Sequence, residues 1–429
     1  MITTLKLRNW KSYLQASLSI DPLTVIIGTN ASGKSNALDA FVFLNRVASG
    51  AMLTSTLQGD GALTAMRGGV EWASKRPGST FAIGVVCRAD ELTEYEYEIE
   101  CQITDSRCDV LAEHLTRTKY RPNKSEKKRS VAGVVKLFRT DTCLVGSPTI
   151  VARLYNEKQG SPRDLGRSHA VLFQLASQKL RQEIQDGVAA VVLSLREIFL
   201  LDPVPSHMRD YSSLSERLDS DARNIAGVIA ALPEPKQKEI EEALTKYASK
   251  LPERDIRRVY AETVGKFNSD AMLYCEEDWQ GTGTAHTIDA RGMSDGTLRF
   301  LAILTALLTR PPESLLVVEE IDNGLHPSRA KMLLEMLRAI GSSRCVDVVA
   351  TTHNPALLDA MGTEMVPFIT VAHRDRQSGH SVLTLLEDVK QLPKLLAQGS
   401  LGKLSSKGLI EKSLQQSFDF GQVDEILDA

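Results

Sequence analysis

The chain has 429 residues, 42% of them hydrophobic, with a net charge of -3. That length supports a large core in two domains or one elaborated one, so a small stapled scaffold is excluded. The near-neutral balance excludes a whole-surface electrostatic footprint for nucleic acid, and any such contact has to come from a local patch.

Residues 3–8 alternate apolar Leu5 and Leu7 with polar Lys6 and Arg8, predicting a strand with one wet face that residues 17–20 can pair with. The first ten residues lack the apolar core of a signal peptide, and no run reaches the roughly 18 apolar residues of a membrane span. The six cysteines are scattered without a C-x-x-C pair. They read as reduced thiols, and a soluble, cytoplasmic protein with no membrane partner is expected.

Residues 23–27 form a continuous apolar run, predicting a buried parallel strand. It breaks into Gly28, Thr29, Asn30, Ala31, Ser32, Gly33, Lys34 and Ser35, which fit G-x-x-x-x-G-K-[ST]. Residues 36–44 follow as a helix with Leu38, Phe41 and Val42 on one face. Between such a strand and helix the loop N–H groups turn inward and the helix N-terminus adds partial positive charge, so a nucleoside polyphosphate is the expected ligand. Lys34 is expected at the β- and γ-phosphates and the Ser35 hydroxyl on Mg²⁺.

Residues 49–69, rich in glycine and small side chains, predict a loop with short helical pieces. Residues 81–87 and 94–100 read as consecutive strands, the second alternating strictly, which suits an antiparallel sheet beside the parallel core. Residues 117–129 carry seven basic side chains against one acid. A solvated hairpin tip and a DNA contact through Lys124, Lys127, Lys128 and Arg129 both remain open there, with Tyr120 as the one ring for stacking. From about 170 to 267 the spacing of Leu172, Leu175, Leu180, Ile184, Val188, Val191 and Leu195 predicts an inserted helical subdomain, punctuated by prolines and without coiled-coil heptads.

A second constellation begins at Arg291-Gly-Met-Ser-Asp-Gly-Thr-Leu-Arg299, which leads into an apolar helix stopped by Pro311 and Pro312. Ser294 occupies the N-cap place, and Gly296 permits close backbone approach. Residues 315–322 then predict a short buried strand delivering Glu319, Glu320 and Asp322 at its carboxyl end, where ligands sit in open α/β sheets. Carboxylates beside an apolar strand need partners, and Mg²⁺ with a water poised at a phosphate would supply them. Residues 346–355 repeat the design, an apolar strand ending in a polar tip with His353.

In this order the motifs resemble the ABC-type ATPase heads of the SMC, RecF and OLD group, and most closely the bacterial AAA-family ATPases of that group found in anti-phage defence modules. The resemblance implies an α/β P-loop NTPase head with a mixed sheet core, an antiparallel side sheet and a helical insertion. The head would be split into 1–165 with Walker A and 271–429 with the later motifs, around an insertion at 166–270. It implies ATP as the nucleotide, hydrolysed to ADP and phosphate with Mg²⁺. Residues 28–35 are similar to Walker A, and Ser294 with Gly296 to the signature motif. Glu319 stands in the Mg²⁺-coordinating place of Walker B and Glu320 in that of the base, residues 323–327 are similar to the D-loop, and His353 to the switch histidine.

Two departures stand out: Glu319 replaces the usual aspartate, and Asp295 replaces the second residue of the common S-G-G. The motifs do not place the Q-loop glutamine, and the neighbours of Gln102 do not support it for that role. The resemblance further implies a head-to-head dimer or higher homo-oligomer in which the signature serine closes over ATP bound to another copy. The stretch after His353 is short and lacks the paired acidic strand ends of a TOPRIM nuclease, so a separate effector such as a nuclease or toxin is the expected partner. A RecF- or SMC-like DNA-binding ATPase of genome maintenance, an ATP-stabilised scaffold with little turnover and, more distantly, a transporter ATPase subunit are the alternatives.

Overall fold

In the computed structural model, which describes residues 1–122, 129–144, 146–156, 158, 160–251, 256–278, 285–390 and 392–414, the chain divides into two units. The first comprises Met1–Asp21, Gly28–Phe199 and Thr370–Thr384; the second comprises Pro22–Ile27, Leu200–Ile369 and Leu385–Ala429.

Alternation of apolar and polar residues, cleanest in Thr93–Thr104, marks the first unit's sheet. Its eight-stranded antiparallel sheet runs Gln15–Ser19, Ile2–Arg8, Thr80–Asp90, Thr93–Thr104, Arg107–Pro122, Arg129–Thr140, Thr149–Leu154, Ser161–Gly166. In Thr93–Thr104, Tyr95, Tyr97, Ile99 and Cys101 are buried. On the wet face Glu96 pairs with Lys6, and Glu98 and Glu100 pair with Arg8 at 3.1 and 3.3 Å. Such cross-strand pairs each add only a few tenths of a kcal/mol to about 1 kcal/mol. The apolar face carries the larger share: Trp10, Phe43 and Phe81 meet with ring centroids 5.0–5.8 Å apart, joining the helix Lys34–Ala48 to the sheet.

The basic stretch falls on the hairpin of Arg107–Pro122 and Arg129–Thr140, whose last described pair is Pro122 and Arg129. Lys124, Lys127 and Lys128 lie outside the described residues. Tyr120, the one ring of this stretch, is engaged within the sheet. Its hydroxyl donates to Glu94 at 2.8 Å, and Arg129 lies over its ring at 4.8 Å, so both the polar tip and one face of the ring are in use.

Continuous apolar runs build the second unit's parallel sheet, in the order Leu315–Val318, Asp347–Thr351, Leu23–Ile27, with every residue of the three strands buried. Val318 pairs with Ala350 and Ala350 with Val25, so the three strands end at the same edge. An antiparallel sheet in the same unit holds Ser212–Ser213, Asp270–Glu277 and Ile256–Val264, with His286–Asp289 also pairing to Asp270–Glu277.

Residues 166–270, read from the sequence as a helical insertion, hold four helices and also strands among the described residues. Val171–Ala176 and Gln182–Arg196 are helices of the first unit, whereas Ile225–Ala230 and Glu234–Ala248 are helices of the second. Ile256–Val264 is a strand, with a bulge between Ile256 and Arg258 that breaks its period of two and hid it from the pattern. Its N–H groups at Val259 and Ala261 donate to Thr245 and Glu241 of the helix Glu234–Ala248, so that helix covers the strand's edge. Among the described residues, no helix is long and apolar enough to cross a membrane.

Candidate functional site

In the first unit, the loop 28–33 begins where the buried strand ends along the chain and closes into the helix Lys34–Ala48. Gly28 and Gly33 have φ of 143° and 113°, and neither has room for a side chain. A Cβ on Gly28 would lie 2.1 Å from the Ala372 carbonyl oxygen, and one on Gly33 2.6 Å from the Ser381 hydroxyl. Ala31 also takes a left-handed φ, 62°, and its carbonyl accepts from Arg374 Nε at 2.9 Å. Lys34 Nζ donates to the carbonyls of Gly28 at 2.6 Å and Thr29 at 3.0 Å, curling the loop about its own ammonium group.

The neighbours fix this shape. Tyr13 donates its hydroxyl to the Gly33 carbonyl at 3.0 Å, and burial pushes the phenol's pKa up, so it stays a donor. Asn36 donates to Ser12 at 2.8 Å, and Trp10 Nε1 to the Asn36 carbonyl at 2.7 Å. No side chain caps the helix start and its first turn holds no acid, so no negative side chain opposes an anion at the positive end of the dipole. The Ser32 hydroxyl is buried yet has no hydrogen-bond partner among the described residues. A cradle closed to any Cβ, a lysine and an orphaned hydroxyl fit a phosphate chain. Thr29, Asn30 and Ala31 are exposed at its mouth, and Ser35 is half-buried.

In the second unit, Glu319 and Glu320 follow the strand Leu315–Val318 directly and are half-buried. Glu320 has φ of 48°, a strained value for a residue with a side chain. Its N–H donates to Thr351 Oγ1 at 2.9 Å, Asn323 Nδ2 approaches its Oε2 at 3.4 Å, and His353 Nδ1 lies 3.7 Å from its Oε1. His353 is aimed by its neighbours: Thr352 N donates to the Ile26 carbonyl at 3.2 Å, and Asn354 caps the next helix at Ala356 N. The structure therefore brings Glu320 and His353 together at one strand edge. Asp322 is buried, and its Oδ1 has no partner among the described residues.

Ser294 caps the helix Asp295–Thr309 as expected, accepting from Thr297 N at 3.1 Å, and it is exposed. Gly296 is buried where a Cβ would lie 2.7 Å from the Gly324 carbonyl oxygen, so the helix start packs on the loop after Glu320. Sequence reasoning missed Arg209. Its Nη1 donates to the carbonyls of Ala290, Arg291 and Met293 at 3.1, 3.0 and 2.8 Å, and its Nη2 pairs with Asp295. Gln102, the one Q-loop candidate, lies in the strand Thr93–Thr104 opposite Thr80, with nothing to mark it as a ligand-facing residue.

The sequence profile of the family described as "AAA domain, putative AbiEii toxin, Type IV TA system" matches residues 23–359. No curated protein sequence matches the chain. Among solved structures, an SMC head bound to the C-winged helix domain of ScpA is similar at 14% identity and a TM-score of 0.48, over 89% of this chain and 97% of that one. The SMC head domain from Thermotoga maritima gives 13% and 0.42 over 90% and 98%. The Pyrococcus furiosus Smc head with an extended coiled coil, bound to the C-terminal domain of ScpA, gives 14% and 0.47 over 92% and 99%. None of these three likenesses transfers a role to a residue here.

Proposed function

Because the chain belongs to this AAA-domain family of P-loop ATPases, we propose that it binds ATP at residues 28–35 and hydrolyses it to ADP and phosphate. Lys34 neutralises the β- and γ-phosphates, and the N–H groups of Thr29, Asn30, Ala31 and Gly33 with the Ser32 hydroxyl cradle them. Hydroxyl and carboxylate oxygens are hard donors suited to Mg²⁺, and Ser35 in the first unit and Glu319 in the second would each offer one. When bound, that ion supplies charge neutralisation at the phosphates. Glu320 takes the proton of the attacking water, and His353 orients the carboxylate and answers the charge of the γ-phosphate.

The observation that carries this reading is the restraint on Glu320, whose N–H is held by Thr351 and whose carboxylate meets Asn323 and lies beside His353. A scaffold that merely keeps ATP has no use for a strained, aimed carboxylate. Single-turnover hydrolysis by the wild type and by Glu320→Gln tests it: faster ATP loss in the wild type is expected, and equal rates overturn hydrolysis in favour of the scaffold.

Ser294, exposed at the start of a 15-residue helix, suits contact with ATP held by a second copy of the chain, so nucleotide binding becomes self-association. The family's description names a toxin of a toxin–antitoxin system. That description favours a toxin–antitoxin or defence setting over genome maintenance, and within that setting a separate effector such as a nuclease or toxin, under this chain's control, is the proposed partner. Co-expression with the products of adjacent genes should recover a complex whose stability depends on ATP; a complex indifferent to ATP overturns that control.

A further inference from the structure

Asp295 is the place where this chain leaves the common S-G-G pattern, and Arg209 is the group that meets it. The turn before the helix Asp295–Thr309 gathers three carbonyls, of Ala290, Arg291 and Met293, around one nitrogen of the Arg209 guanidinium. Converging carbonyls repel one another unless a cation sits among them, and a planar fork can serve three carbonyls with one nitrogen while the other reaches a carboxylate. Ser294 lies between Met293 and Asp295, so the chain is held by Arg209 on both sides of it. Its own Oγ is held from the helix by Thr297 N and faces Thr297 Oγ1 at 2.9 Å.

The rest of the turn offers no substitute. Arg291 is committed to Asp289 at 3.1 and 3.2 Å, and Gly296 is pressed against the Gly324 carbonyl with no side chain to spare. An acid in a helix's first turn is favoured by the dipole, so Asp295 costs the helix nothing while giving Arg209 a second anchor.

We propose that Arg209 is the positioning residue for Ser294 in ATP hydrolysis, and that Asp295 stands in the motif as its anchor. The inference rests on the reading of Ser294 as a contact to ATP held by another copy. Arg209 touches no reacting atom. It sets where the serine stands when the copies close, so its loss falls on turnover and on ATP-dependent association and spares the ATP affinity of the P-loop.

The test compares Arg209→Ala, Arg209→Lys, Asp295→Ala and Ser294→Ala in the full chain. ATP affinity, kcat and KM are measured for each, and association is followed by light scattering with Glu320→Gln added to hold ATP. Arg209→Ala should lower kcat about 10- to 100-fold, the range that misplacing a contact by about 1 Å produces, and leave ATP affinity within about twofold. Arg209→Lys should recover little, because an ammonium group cannot bridge the carbonyls to Asp295. The double variant of Arg209 and Asp295 should be no worse than Arg209→Ala alone. Hydrogen exchange at the amides of Gly292 and Met293 should speed up in the same variants.

An Arg209→Ala kcat within about twofold of wild type, beside an impaired Ser294→Ala, overturns the role of Arg209 alone. If Ser294→Ala is itself unimpaired, the reading of Ser294 falls and this inference with it. If Arg209→Ala does not fold, Asp295→Ala decides, since it keeps the three carbonyl bonds: reduced kcat with unchanged ATP affinity supports the inference, and unchanged kcat overturns it.

Discussion

His353 Nδ1 lies 3.7 Å from Glu320 Oε1, and both residues follow strands of one parallel sheet. The distance is too long for a full hydrogen bond, and it places the ring beside the carboxylate. Glu320→Gln removes the base while keeping size and the Asn323 contact. Its kcat should fall about 10²- to 10⁴-fold with ATP affinity retained. His353→Ala should cost less, at least about tenfold. Steady-state phosphate release checks both, and a fully active His353→Ala would remove the histidine from the mechanism.

Lys34 ties the Gly28 and Thr29 carbonyls together and is also the charge placed for the phosphates. Lys34→Ala removes a charge-assisted hydrogen bond worth about 1.5–3 kcal/mol, which corresponds to about 10- to 100-fold weaker ATP binding. Calorimetry reads this directly, and unchanged affinity refutes the assignment.

Gly28 tests the shape of the cradle rather than its charge. Its φ is 143°, and a methyl group added there would stand 2.1 Å from the Ala372 carbonyl oxygen, so Gly28→Ala has to displace backbone. Strain of this kind costs about 1–3 kcal/mol, and ATP binding should fail with it. Gly61, where a Cβ meets nothing within 4 Å, is the control. Gly61→Ala should leave both the urea midpoint and ATP affinity near wild type.

The strand, loop and helix of residues 23–48 were legible because each obeys a local rule: a continuous apolar run, paired glycines, then a helical period. The Ser294 cap was legible for the same reason, since its partner Thr297 is three residues away. Arg209 was not. Its partners lie 81 to 86 residues along the chain, and no local pattern distinguishes it from a surface arginine. The contacts of Tyr120 were not legible either, because Glu94 and Arg129 come from neighbouring strands. The division of residues 170–267 between two units is likewise a matter of tertiary packing, which periodicity does not encode.

Glu113 carries the pH prediction. It is fully buried in the first unit, where its carboxylate accepts from the N–H groups of Val171 at 2.7 Å and Leu172 at 2.6 Å and from the Tyr97 hydroxyl at 3.0 Å. Burial outweighs these bonds and pushes its pKa up from 4.5 to about 7. A raised folded pKa means the folded chain keeps a proton that the unfolded chain releases. Its stabilising contribution is therefore complete below pH 4.5 and is lost as pH rises through about 7. The loss between these limits is on the order of 3 kcal/mol. Urea unfolding of the wild type and of Glu113→Gln at about pH 5 and about pH 8, on either side of the raised pKa, isolates this group, because other titrations cancel in the comparison. The glutamine variant starts lower in acid, since its amide turns a donor toward a backbone N–H at a cost of about 1–3 kcal/mol. Its deficit should shrink or reverse on the alkaline side, where the wild type holds a buried charge. Equal pH dependence in the two chains would mean that the three hydrogen bonds hold the carboxyl near its ordinary value after all.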